Sequence, residues 1–152
     1  MTNKKENIYD RLFTQLETLF DENRSPISRM STIAALLHHK LPDLFWTGFY
    51  LIENGALNVG PYQGPLACIN LKKGEGVCWH SVINNKTVIV PDVDKFPGHI
   101  ACSPLSKSEI VVPIRDLNGN VVAVLDLDSR KYDRFSQFDK VGLEKIVSLI
   151  YI

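Results

Sequence analysis

Charge of one sign is missing from this sequence. Its 17 Lys and Arg balance 17 Asp and Glu over 152 residues. No basic stripe stands out, so a nucleic-acid partner is not expected. No apolar run approaches the ~18 residues that would cross a bilayer. The opening MTNKKENIYD lacks the apolar core of a secretory leader. The expectation is a cytoplasmic protein with no membrane partner. Cysteine is also scarce: Cys68, Cys78 and Cys102 are the only three. An odd, widely spaced set makes a poor disulfide framework, and a thiol in a reducing compartment stays free unless it does redox work. Neither CxxC nor HxxxH occurs. Cys68, Cys78, His80, His99 and Cys102 are soft residues, but structural zinc sites show closer ligand pairs. No metal is expected.

The chain does hold enough apolar residues, 45%, for one domain spanning residues 1–152 with one core. Ile8, Leu12, Leu16, Leu19 and Phe20 follow helical spacing. Ser25-Pro26 reads as the cap and first residue of a second helix, carried by Ile27, Met30, Ile33, Ala34, Leu37 and Leu41. His38 and His39 suit a solvated C-terminal turn. Strands are expected at Leu44–Ile52 and Ala56–Pro61, joined at Asn54-Gly55. A Gly- and Pro-rich stretch from Gly64 to Gly76 leads to a short helix, Val77–Asn84, and a strand, Thr87–Val90. A loop, Asp92–Lys107, precedes a second hairpin, Ser108–Arg115 and Val121–Asp128, turning at Asn118-Gly119. Ser136 and Asp139 open a last helix whose apolar face is Phe138, Leu143, Ile146, Val147 and Ile150. Hairpins interleaved with helices give an α+β fold built on an antiparallel sheet.

Alternate residues of a strand share a face. Val121, Ala123, Leu125 and Leu127 make one face of the second hairpin apolar, so Asp126 and Asp128 point the other way. With Asn118 and Gly119 as the two turn residues, Asp116 pairs with Val121 and Glu109 falls opposite Asp128. Three carboxylates then share one face, and like charges directly opposed repel. They form either a site that binds a cation or shifts a pKa, or a solvated acidic edge neutralised by Lys107 or Arg130. The outcome depends on the turn, because a one-residue slip changes faces. Cys102 sits in the long loop, and loops of that length are often functional. His99 and Lys107 are placed to favour its thiolate. Trp46 and Tyr50 share one face of the first strand, with Phe45, Thr47, Phe49 and Leu51 on the other. Parity alone does not say which face lines a pocket.

The run Trp46-Thr47-Gly48-Phe49-Tyr50 resembles the free methionine-(R)-sulfoxide reductases, a family of GAF type. So do Gly60-Pro61-Tyr62-Gln63-Gly64, Gly76-Val77-Cys78, Phe96-Pro97-Gly98-His99-Ile100-Ala101-Cys102, Ser108-Glu109-Ile110-Val111 and Val124-Leu125-Asp126-Leu127-Asp128. The resemblance implies a GAF-like antiparallel sheet with N-terminal helices and a C-terminal helix packed on it. It implies Cys102 as catalytic thiol, Cys68 as resolving thiol, and Cys78 as secondary or substitute. It implies that Glu109, Asp126, Asp128, Trp46 and Tyr50 bind the free amino acid. No cofactor is implied, and thioredoxin would be the electron donor. Members often form homodimers, although no interface is legible here. Trp79-His80 departs from the family's small residues after Cys78, and the turn at Asp116–Asn120 is about one residue longer. A ligand-sensing GAF module and a thiol redox sensor are the rival readings.

Overall fold

The computed structural model describes residues 6–21, 25–99 and 102–152. Ile100 and Ala101, within the loop that carries Cys102, lie outside the described residues, as do 1–5 and 22–24.

Local signals in the sequence start the helices where expected. Helix α1, Ile8–Leu19, opens on a capping box in which the Asn7 side chain accepts the Asp10 N–H at 2.9 Å. Helix α2, Pro26–Lys40, has Ser25 as N-cap and proline in the first turn, where its missing N–H costs nothing. Helix α4, Gln137–Val147, opens on a box in which the Ser136 N–H donates to Asp139 at 2.9 Å. The Tyr9 hydroxyl also donates to Asp139, at 2.6 Å, and ties α1 to α4. Helix α3, Gly76–Asn84, stops at Asn85 in a left-handed conformation.

The strands are β1 (Trp46–Glu53), β2 (Ala56–Gln63), β3 (Asn70–Leu71), β4 (Val88–Val90), β5 (Ser108–Arg115) and β6 (Val121–Ser129). They form one antiparallel sheet in the order β3-β2-β1-β6-β5-β4. Both faces are covered. On one, α1, α2 and α4 pack against Phe49, Ile110, Val112, Ile114, Ala123, Leu125 and Leu127. On the other, α3 and its flanking loops pack against Trp46, Tyr50, Leu57, Val111 and Val124. The sequence showed a core-like pattern on both faces of β1 because both faces are buried.

Several expectations need correction. The Gly- and Pro-rich stretch from Gly64 to Gly76 contains a strand that was not expected, since β3 adds two residues to the sheet edge. The long loop holds a 3-10 turn, Val93–Lys95. Leu19 and Phe138 are exposed rather than core, and Ile150 lies beyond the end of α4. His38 is half-buried, not solvated: its Nδ1 lies 2.9 Å from the Thr47 hydroxyl, and burial lowers its pKa.

The second hairpin reached the expected register by an unexpected route. Asp116 closes the turn by donating to Asn120, so Arg115, not Asp116, pairs with Val121. A bulge then follows, and Ile114 pairs with Ala123. The longer turn and the bulge each shift the register by one residue, in opposite senses. Glu109 therefore lies opposite Asp128, as counted from the sequence.

Candidate functional site

The site grows from one cross-sheet row. Asp128 of β6 pairs with Glu109 of β5 on one side and Trp46 of β1 on the other. One pleat along, Asp126 pairs with Val111 and with Gly48. All point to the face that α3 covers. Gly48 is required there: a Cβ would run into Tyr62 and the Trp46 ring. Its absence lets Trp46 stack between Tyr50 and Tyr62, with ring centroids 5.7 and 5.3 Å apart. These rings form an aromatic wall beside the carboxylates.

Helix α3 supplies the floor. Cys78 is a free, buried thiol whose Sγ lies within 4.8 Å of carboxylate oxygens of Glu109 and Asp126. The other two cysteines sit at the mouth. Cys68, before β3, and Cys102, in the loop before β5, are joined as a disulfide with Cα atoms 5.7 Å apart. Tyr50 donates its hydroxyl to the Cys68 carbonyl at 3.3 Å, which links the aromatic wall to the disulfide. The space enclosed is about 60 Å³ and is lined by all eight residues singled out in the sequence except Cys68.

The electrostatics are unusual. Glu109 and Asp126 are 5% and 6% exposed, so a solvated acidic edge is excluded. Among the described residues no Lys or Arg forms an ion pair with Glu109, Asp126 or Asp128. The Arg130 guanidinium lies over Phe45 and the Lys107 ammonium over Tyr132, which corrects the expectation that they neutralise the cluster or polarise Cys102. Burial, reinforced by the Asp128 charge, pushes the Glu109 carboxyl up to about 8. Burial, then the Glu109 charge, pushes Asp126 well above its usual range. Asp128 is raised by burial and by Asp126, against the opposing hydrogen bond that Ser106 donates at 2.8 Å. Burial and then Asp126 push the Cys78 thiol up. His99 Nε2 stands 3.6 Å from Glu109 Oε1, but burial lowers the histidine pKa and leaves it a poor counter-charge. Near neutral pH the Glu109 carboxyl therefore tends to keep its proton, and Asp126 and Asp128 are shifted in the same direction. Three buried polar atoms of the pocket's lining residues have no hydrogen-bond partner: Trp46 Nε1, Glu109 Oε1 and Asp126 Oδ1. A cationic group with an apolar tail would fit these surroundings.

The comparisons with known proteins agree with this geometry. Residues 28–152 match the GAF domain family. The free methionine-R-sulfoxide reductase of Saccharomyces cerevisiae is 40% identical over 153 residues, covering 96% of this chain and 85% of the relative. The chain belongs to the free methionine-R-sulfoxide reductase family. The solved structure of fRMsr of Staphylococcus aureus in its reduced form is similar at a TM-score of 0.90 and 42% identity, over 99% of this chain and 97% of that one. A Neisseria meningitidis free methionine-R-sulfoxide reductase, solved in complex with its substrate, gives a TM-score of 0.90 at 36% identity, over 99% and 90%.

Relative to the family's pattern, the two departures are absorbed locally. Trp79 is buried and its indole N–H donates to the Leu71 carbonyl at 3.1 Å, while His80 stays exposed beside Phe96. The long turn is cancelled by the bulge. Sequence reasoning missed Ser106 and Phe45. Ser106 reaches Asp128 from outside any strand, so no parity count finds it. Phe45 was assigned to the face opposite Trp46. It precedes β1, its N–H donates to the Asp128 carbonyl at 2.7 Å, and its ring joins the pocket side.

Proposed function

We propose that this protein reduces free methionine-(R)-sulfoxide to methionine with cysteine as the reductant. The observation that carries the reading is a Cys68–Cys102 disulfide at the mouth of a pocket holding three uncompensated carboxyls and an aromatic wall. The substrate is a zwitterion with a polar S=O and a methyl group. Its ammonium meets Glu109, Asp126 and Asp128, and its methylthio end packs on Trp46 and Tyr50.

Cys102 attacks the sulfoxide sulfur. A pocket carboxyl gives its proton to the departing oxygen, as a carboxylic acid kept neutral by its surroundings is able to do. The protonated oxygen passes from the substrate sulfur to the Cys102 sulfur as the bond between the two sulfurs breaks, so methionine leaves and Cys102 becomes a sulfenic acid. The Cys68 thiol displaces that oxygen as water and forms the Cys68–Cys102 disulfide. Thioredoxin then reduces it by thiol exchange. The overall change is one sulfoxide and two thiols to one sulfide, one disulfide and one water. No cofactor takes part, and exhaustive chelation is expected to leave turnover intact.

A peptide-bound methionine sulfoxide lacks the free ammonium and carries flanking chain that the pocket does not admit. The charge-assisted hydrogen bonds to the ammonium, typically worth about 1.5–3 kcal/mol each, are then not made, so discrimination of ~100-fold or more is expected at about 1.4 kcal/mol per tenfold. The test compares catalytic efficiency on each epimer of free methionine sulfoxide and on an N-acetylated, amide-capped analogue. Equal efficiency on free and capped substrate would remove the ammonium role.

A further inference from the structure

The proposed reaction leaves one sulfur unused. Cys78 is free and buried beneath the pocket, while Cys68 and Cys102 carry the redox chemistry. Its Sγ and carboxylate oxygens of Glu109 and Asp126 all lie within 4.8 Å of one another. Both carboxylate residues are more than nine-tenths buried and line the pocket, and each has an oxygen with no hydrogen-bond partner, Asp126 Oδ1 and Glu109 Oε1, the latter 3.6 Å from His99 Nε2.

Asp139, equally buried, has the partners that the pocket carboxyls lack. That group has Arg134 at 3.4 Å and accepts from Tyr9 and from the Ser136 N–H. The pocket carboxyls have no Lys or Arg among the described residues. They lack a cation that the chain itself does not supply.

We propose that Cys78, Glu109 and Asp126 form a binding site for a thiophilic divalent cation of the Zn²⁺ class, which inhibits by occupying the place of the substrate ammonium. The inhibitory consequence rests on the function proposed above, whereas the binding does not. One sulfur and two carboxylate oxygens give a mixed donor set that favours zinc over magnesium or calcium. Three protein ligands with an open fourth position are within zinc's habits, at Zn–S of about 2.3 Å and Zn–O of about 2.0–2.2 Å. Those bond lengths need the three donor atoms to draw together by less than about 1.5 Å, within reach of carboxylate rotation. A bound dication would replace the protons of the thiol and the acids. Asp128, already engaged by Ser106, stays free of the metal.

The experiment uses two preparations in which Cys78 is the sole thiol: the oxidised wild-type protein and the Cys68→Ser/Cys102→Ser variant. Each is titrated with Co²⁺ as the spectroscopic probe, then with Zn²⁺ in competition. One equivalent of Co²⁺ with a thiolate charge-transfer band is expected. Changing Cys78→Ser should abolish the band, and Asp126→Asn should weaken Zn²⁺ binding by roughly 10–100-fold, a scale typical of disrupting a metal site. Free methionine sulfoxide should raise the apparent Kd for Co²⁺ in the double variant. No thiolate band in either preparation, or Zn²⁺ affinity unchanged by both substitutions, overturns the site. A thiolate band that methionine sulfoxide does not displace overturns the inhibition. Loss of the band with intact sulfoxide turnover in the wild type would sink the metal site while leaving the proposed function standing.

Discussion

Glu109 and Asp128 face one another because the pleat and the register require it, and among the described residues no Lys or Arg pairs with either; the basic neighbour, His99 at 3.6 Å from Glu109, has its pKa lowered by burial. The consequence is a pH signature. Glu109 releases its proton at about 4.5 as an ordinary carboxyl and near 8 in the folded, empty pocket. Between those values the unfolded chain has lost a proton that the folded chain keeps. Stability contributed by this group is therefore complete below the lower value and is lost as pH rises toward the upper one. Asp126 and Asp128 are shifted the same way and steepen the slope. Thermal unfolding without substrate should show a Tm that falls from pH 5 to pH 8, and Glu109→Gln should flatten that fall. A Tm that rises over the window in both proteins would contradict the neutral-carboxyl description. In the proposed reaction the same row holds the substrate ammonium. Asp128→Asn removes a charged partner of the ammonium, a contact typically worth about 1.5–3 kcal/mol. Catalytic efficiency on the free sulfoxide should drop about 10–100-fold with the circular dichroism spectrum unchanged.

At the scale of elements, the sequence was legible where local chemistry decides and silent where contact between distant segments decides. Capping residues Ser25 and Ser136 start their helices as expected from residue type alone, and Asn7, not singled out in the sequence, caps α1 in the same way. Strand alternation assigned Asp126 and Asp128 to the face away from the helical core. The bulge after Ile114 was not legible, because a bulge has no residue signature when Val121, Val122 and Ala123 are all small and apolar. Strand β3 was missed because two residues are too few to show a period, and they are strand only by pairing with Leu57 and Asn58. Phe138 was misassigned because helical spacing fits it, yet Tyr9 covers only its edge, at a centroid distance of 5.3 Å. The contact between α1 and α4 yields its own prediction. Gly142 faces the Tyr9 ring so closely that a Cβ would overlap it. Gly142→Ala should destabilise the protein by ~1–3 kcal/mol, the usual range for overpacking, measured by urea unfolding. Little or no loss would mean that α4 shifts freely against α1.

Across the whole molecule, the sheet works as a partition. The helical layer buries Phe49, Ile110, Leu125 and Leu127 on one side, and that layer carries the fold. The other side buries acids, a thiol and aromatic rings under α3, and the proposed chemistry belongs to that side. Alternation along three neighbouring strands is enough to send Trp46, Asp128 and Glu109 to one side and the core residues to the other. The cysteines were legible as residues but not as a geometry. Cys68 and Cys102 are separated by 34 positions, and only the order of the strands brings their segments to the same pocket mouth. The central claim is that these two thiols carry one turnover between them. The most direct measurement is a single turnover of the reduced protein on free methionine-(R)-sulfoxide with no added reductant, quantifying methionine and mapping disulfides by peptide mass. One equivalent of methionine and a Cys68–Cys102 link are expected for the wild type, and no methionine for Cys102→Ser, whose hydroxyl is too weak a nucleophile toward sulfur. Near-normal methionine yield from Cys102→Ser, or a dominant link to Cys78, would contradict the account.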